Sequence, residues 1–206
     1  VADAGIAVGQ HTNVCLGKPC ADPALIPSML NENDEFHSSR TFRDHFKRGE
    51  ELIDFDEACI EIRAQHDRFV EIVGREPDYF EAHAVMSKNL NRAISAVAQE
   101  LGLKEQKASF DPAAVVHCGD TDLRMVMRSM EPGYEPKEAI MQTVRGMVDG
   151  ETVVFVCHPG YLDRFILENS SLTTDRTKEV DALIDPELRA WLESQSDLRL
   201  IDYRDL

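Results

Sequence analysis

Seven histidines stand in the chain, and three of them close short apolar segments. His11 follows Gly5-Ile6-Ala7-Val8-Gly9-Gln10, His83 follows Asp78-Tyr79-Phe80-Glu81-Ala82, and His158 follows Val153-Val154-Phe155-Val156-Cys157. Each segment reads as a strand, so each imidazole is expected at a strand exit. In a parallel barrel the strands all end on one face, where residues far apart in sequence can converge. Neutral imidazole is the commonest protein ligand for a divalent metal, and a hydrolytic metal centre takes about three protein ligands and an open position for water. Metal-assisted hydrolysis is therefore the chemistry these residues could do. One histidine alone in an α/β protein is more often a hydrogen-bonded packing residue, so the weight lies in the recurrence. His117, after Ala113-Ala114-Val115-Val116, is a fourth candidate on the same logic. His37, His45 and His66 fall in loop or helix contexts and read as surface residues.

The elements that must position these groups alternate. Val153 to Cys157 is too short for a helix and is β-branched or aromatic enough for a strand buried on both faces, with Pro159-Gly160 breaking the ladder beyond it. Residues 12–36 are rich in Pro, Gly, Asn and Asp and read as one long loop, and residues 38–53 as partly helical. Asp54 to Glu57 forms a capping box. Phe55, Cys59, Ile62, Phe69, Val70 and Val73 then carry a helical period to Gly74. A second helix runs from Lys88 to Leu101, with Leu90, Ile94, Val97, Ala98 and Leu101 on one face and Gly102 as its stop. Ala113 to Cys118 predicts a strand. Asp120 to Met130, Pro136 to Val148, Thr173 to Ile184 and Pro186 to Ser194 predict helices, and Leu198 to Tyr203 a last strand. Strands separated by helices argue for α/β architecture with a parallel sheet or barrel.

Composition narrows the function. The chain has 206 residues, 43% of them hydrophobic, enough for one core, and residues 1–206 are expected to form a single domain. Against 22 Lys and Arg stand 38 Asp and Glu, a net charge of −16. A surface so acidic repels phosphate backbones and anionic bilayers, which disfavours nucleic acid and membrane as partners. No apolar run approaches the roughly 18 residues of a membrane span, and no signal-peptide pattern is present. A soluble, cytoplasmic protein is the expectation. The five cysteines are odd in number and lack CxxC spacing, so buried free thiols are expected rather than disulfides or a zinc finger. The chain starts at Val1 and runs at once into a strand-like segment, as the middle of a domain would.

His158-Pro159-Gly160-Tyr161-Leu162-Asp163, Ser170 to Thr173, Arg176, the helix through Glu179 to Leu183 and Ile201 to Leu206 together resemble the C-terminal signature of the YdjC-like carbohydrate deacetylases, which include the chitooligosaccharide deacetylases. Val8-Gly9-Gln10-His11 and Leu16-Gly17-Lys18-Pro19 resemble that family's Gly-x-His and Gly-Lys-Pro elements. The segments bracket the chain in the family's order.

The resemblance implies a distorted (β/α) TIM-like barrel of the glycoside hydrolase/deacetylase type, lacking its first strand and helix in this chain. It implies removal of an acetyl group from an N-acetylated sugar with a divalent metal ion, magnesium or zinc. The metal ligands it implies are His11, His83 and an Asp from an Asp-Asp-Phe-Gly element for which this sequence has no counterpart. Glu81-Ala82-His83-Ala84-Val85 replaces the usual Asp-Ser-His-x-His, and Ser87 stands where another histidine is common. Glu81 is expected to orient a ligand imidazole. On the same basis His158 protonates the departing amine, Asp163 orients His158 or binds a hydroxyl, Arg176 pairs with an acidic group, and Tyr161 stacks on a sugar ring. Asp163 also fits as the N-cap of Arg164 to Asn169. The partner is a small carbohydrate, and the open strand edge invites pairing either with the lost segment or with another subunit in a homodimer. A non-catalytic sugar-binding descendant and a metal-independent glycoside hydrolase with two carboxylates are the alternatives.

Overall fold

The computed structural model describes residues 5–107 and 114–206. The chain divides into two compact units, one of residues 1–110, 116–121 and 201–206, the other of residues 111–115 and 122–200. The architecture is mixed α/β with parallel strand pairs and seven α-helices among the described residues.

In the first unit β1 (Gln10–Thr12) pairs in parallel with β2 (Tyr79–Ala82), which pairs in parallel with β3 (Lys104–Glu105). After two short 3-10 turns in the long loop come α1 (Ser39–Lys47), α2 (Phe55–Val73) and, beyond β2, α3 (Lys88–Leu101). The helix ends obey their sequence signals. Asp54 accepts the N–H groups of Asp56 at 2.9 Å and Glu57 at 3.1 Å, and Gly74 closes α2 at φ +79°. Ser87 accepts the Leu90 N–H at 3.0 Å while its hydroxyl donates at 2.7 Å to Glu51, whose other oxygen takes the Lys88 N–H. Ile62 of α2, Phe80 of β2, and Leu90 and Ile94 of α3 meet in the core.

The first predicted strand is displaced. Residues 5–9 are irregular and the ladder begins at Gln10, because Asp78 clamps Val8 from both sides. Its carboxylate accepts the Val8 N–H at 2.7 Å and its own N–H donates to the Val8 carbonyl at 2.9 Å. His66 is a second correction. It is buried on α2, with Nε2 2.5 Å from Glu76 Oε2, because the core-facing stripe of α2 runs through Ala58, Ile62 and His66 rather than through Phe69 and Val70. Cys15, Cys59 and Cys118 are buried free thiols, whereas Cys20 is exposed.

β4 (Val115–Cys118) bridges Gln106 through Cys118; Ala113 of the expected strand lies outside the described residues. Residues 198–203 form no strand. The 201–206 segment is held by side chains instead: the Tyr203 ring stacks on Tyr79 at 3.8 Å, and Lys104 Nζ donates to the Tyr203 and Arg204 carbonyls at 3.0 and 3.1 Å.

In the second unit β5 (Thr121–Met127) runs parallel to β6 (Thr152–Val156), Leu123 opposite Thr152 and Met127 opposite Val156. Helices α4 (Pro136–Arg145), α5 (Arg164–Asn169), α6 (Thr174–Leu183) and α7 (Pro186–Glu193) complete it. β5 replaces the helix expected over 120–130. Leu, Arg and Met favour helix intrinsically, but a five-residue parallel register with β6 and the Arg124–Glu151 ion pair outweigh that preference. β6 itself is half-buried along its length rather than covered on both faces.

Among the described residues no closed barrel forms, and none of the helices is long and apolar enough to cross a membrane. Among the glycines the tightest surroundings are at Gly9, where an added Cβ would lie 2.4 Å from Tyr79 Cζ. Gly9→Ala must push the ring off its stack with Tyr203 and is expected to cost about 1–3 kcal/mol, read as a lowered thermal midpoint.

Candidate active site

The first cluster follows from strand register. His11 lies directly opposite Glu81 across the β1–β2 ladder, so both side chains leave the same face. His11 Nδ1 sits 2.8 Å from Glu81 Oε1, and His11 Nε2 sits 2.7 Å from His83 Nδ1, the two rings meeting edge to face at 4.8 Å. His83 is one residue past β2, yet its N–H still donates to the Thr12 carbonyl at 3.1 Å and continues the ladder. The chain then turns sharply: Ala84 has φ +37°, and the Val85 N–H closes on the His83 carbonyl at 2.5 Å. A non-glycine residue held there stores local strain directly beside the imidazole.

The surroundings are aromatic and acidic. Burial above all pushes the Tyr79 and Tyr203 phenols well above their ordinary range, with the Glu81 carboxylate next for Tyr79 and the neighbouring Tyr79, then Glu81, for Tyr203, so both stay neutral. Beneath the Gly17-Lys18-Pro19 turn lies Glu61, fully buried on α2. It accepts the Cys20 N–H at 3.0 Å, the Ala21 N–H at 2.8 Å and Gln65 Nε2 at 2.8 Å. Sequence reasoning missed Glu61; a carboxylate one position before Ile62 on an otherwise apolar stripe was the available signal.

The second cluster surrounds His158, two residues beyond β6. Its centre is Glu179 of α6, fully buried. Glu179 Oε2 accepts the His158 backbone N–H at 2.6 Å, and Oε1 accepts the hydroxyls of Ser129 at 2.7 Å and Tyr134 at 3.0 Å. Ser129 Oγ lies 3.4 Å from His158 Nδ1. Burial, with the Glu179 charge behind it, holds the Cys157 thiol up to about 12, so this cysteine is not a nucleophile at neutral pH. Neither Glu179 as an acceptor nor Ser129 was singled out from the sequence.

Asp163 caps α5, its Oδ1 accepting the Ile166 N–H at 2.8 Å. Arg176 is expected from the sequence to pair with an acidic group; among the described residues its guanidinium instead donates to two backbone carbonyls, His158 at 3.1 Å and Leu172 at 2.9 Å, which fixes the loop between them. Tyr161 is 80% exposed, a ring presented to solvent rather than packed on the core. His117 stands on an exposed position of β4. His11 and His83 thus meet in one cluster, while His158 and Arg176 meet in the other through a backbone carbonyl.

A model of the family described as YdjC-like protein matches residues 1–194, and the chain belongs to that family. Carbohydrate deacetylase 2 of Listeria innocua is 27% identical over 204 residues, covering 98% of this chain and 77% of that protein. A chitooligosaccharide deacetylase of Serratia marcescens is 27% identical over 215 residues, covering 98% and 79%. A solved structure from Enterococcus faecalis, described as a cellobiose-phosphate cleavage protein, superposes with a TM-score of 0.78 over 97% of this chain and 77% of its own; at 22% identity the likeness is one of fold.

Asparagine caps a helix as well as aspartate does, which separates the two roles of Asp163. Asp163→Ala is expected to lose about 1 kcal/mol of stability and Asp163→Asn almost none, measured by chemical unfolding; a loss of turnover in Asp163→Asn at unchanged stability would reveal chemistry beyond the cap.

Proposed function

We propose that the protein is a carbohydrate deacetylase, a hydrolase that cleaves the amide C–N bond of N-acetylated sugars or oligosaccharides. The observation that carries this reading is the His11–Glu81–His83 cluster, built by one parallel register in a YdjC-like chain whose relatives are named deacetylases. The alternation of parallel strands with helices supports reading the fold as a distorted (β/α) barrel.

A divalent ion, magnesium or zinc, belongs to the proposal. Glu81 accepts from His11 Nδ1–H, which leaves the lone pair of His11 on Nε2, aimed at His83 Nδ1. Two imidazole nitrogens converging on one point, one of them backed by a carboxylate, make a donor set that fits such an ion. His11 and His83 would hold it, with Glu81 behind His11 rather than on the ion; among the described residues no group of three His, Cys, Asp or Glu is arranged to hold a metal. When bound, the ion would polarise the acetyl carbonyl and acidify a water molecule.

The protein's own groups do the rest. Glu81 keeps the proton on the Nδ1 side of His11. His158 gives a proton to the sugar nitrogen as the C–N bond breaks, the general-acid role that imidazole most often fills. Tyr161 offers an uncovered ring face to a pyranose, and Asp163 stands in the same loop to orient His158 or take a hydroxyl. Arg176 braces that loop and reads a hydroxyl with the donors not spent on carbonyls.

Acetate release from N-acetylated chitooligosaccharides tests the proposal. Release is expected with added magnesium or zinc and is expected to stop on chelation. His11→Ala should abolish it, Glu81→Gln should lower it about 10- to 100-fold, and His158→Ala should lower kcat by roughly 100-fold or more. A folded protein that releases no acetate with either metal, or a His11→Ala variant as active as the parent, would remove the reading.

A further inference from the structure

We propose that Glu179 and Ser129 are positioning residues that lock the His158 ring as its Nδ1–H tautomer and so present Nε2 as the working nitrogen. The inference deepens the reading of His158 as proton donor and rests on it. Glu179 has no solvent to stabilise its charge, so the carboxylate depends on the three donors that reach it. Ser129 is also fully buried, and its hydroxyl carries one proton. The 2.7 Å contact to Glu179 Oε1 takes that proton, so towards the imidazole the Ser129 oxygen can only accept. The ring atom facing it at 3.4 Å is Nδ1, which therefore bears hydrogen. In the neutral ring the lone pair is then on Nε2, and in the charged ring the second proton is there too, at the nitrogen away from the anchor.

The peptide of His158 is fixed by the same helix. Glu179 accepts its N–H at 2.6 Å and Arg176, one turn earlier on α6, donates to its carbonyl at 3.1 Å. The peptide is thus held directly from one helix face, and the ring through Ser129, which is itself anchored on Glu179. The other titratable groups at Glu179 are Tyr134, whose hydroxyl is spent on Oε1, and Cys157, and burial keeps both neutral. The carboxylate therefore faces the hydroxyl and the peptide as the single negative charge among these groups.

The test is nitrogen-15 NMR of the full chain labelled at histidine, with the His158 signal identified by its loss in His158→Gln. The parent is expected to show the Nδ1–H pattern at neutral pH. Ser129→Ala should show a mixture of tautomers and a kcat lowered roughly tenfold with KM little changed, and Ser129→Thr should restore both. Glu179→Gln, whose amide oxygen must take the His158 N–H and whose NH2 then faces Ser129 and frees that hydroxyl to donate, should give the same mixture. A folded Ser129→Ala protein with the parent's ring pattern and kcat would overturn the proposal. The ring pattern needs no substrate, so a parent that shows the Nδ1–H pattern, lost in Ser129→Ala, but releases no acetate supports the lock and removes only the deacetylase reading.

Discussion

The parallel register of β1 on β2 is the constraint on which the first cluster depends. Side chains alternate along a strand, so the pairing that sends Phe80 into the core puts Glu81 on the opposite face, directly beside His11. A slip of one residue would bury Glu81 and break the contact. Two features prevent the slip: Asp78 holds the Val8 peptide from both ends, and Gly9 leaves just enough room for the Tyr79 ring. The 201–206 segment then closes over Tyr79 through Tyr203, which ties the far end of the chain to this register.

Two buried carboxylates play matching parts in the two units. Glu61 gathers the peptide N–H groups of Cys20 and Ala21, and Glu179 gathers the N–H of His158 with two hydroxyls. A charge without solvent is costly unless donors surround it, so each carboxylate commits its neighbours to one arrangement. In a chain of net charge −16 most acids belong on the surface; these two sit inside because each organises an irregular segment that has no ladder of its own.

Local signals were sufficient wherever one element carried its own punctuation. The caps at Asp54 and Gly74 and the stop at Gly102 lie where the sequence puts them, and β2 ends just before His83 as its aromatic run implies. They failed where a partner decides. Thr121 to Met127 has the residues of a helix and becomes a strand through pairing with β6. Leu198 to Tyr203 alternates like a strand, finds no ladder and is pinned by Lys104 and Tyr79 instead. His66 reads as a surface residue until the true inward face of α2 is known.

The sequence by itself determined the family motifs, the order of the main helices and the strand exits that carry histidine, because those depend on residue type and spacing along the chain. Only the tertiary structure decided that Glu81 touches His11, that Ser129 and Glu179 stand behind His158, and that Arg176 braces a loop rather than pairing with an acid. Those contacts join residues 18 to 70 positions apart. No local period encodes such a distance; it is set by strand register and by which face of a helix is turned inward.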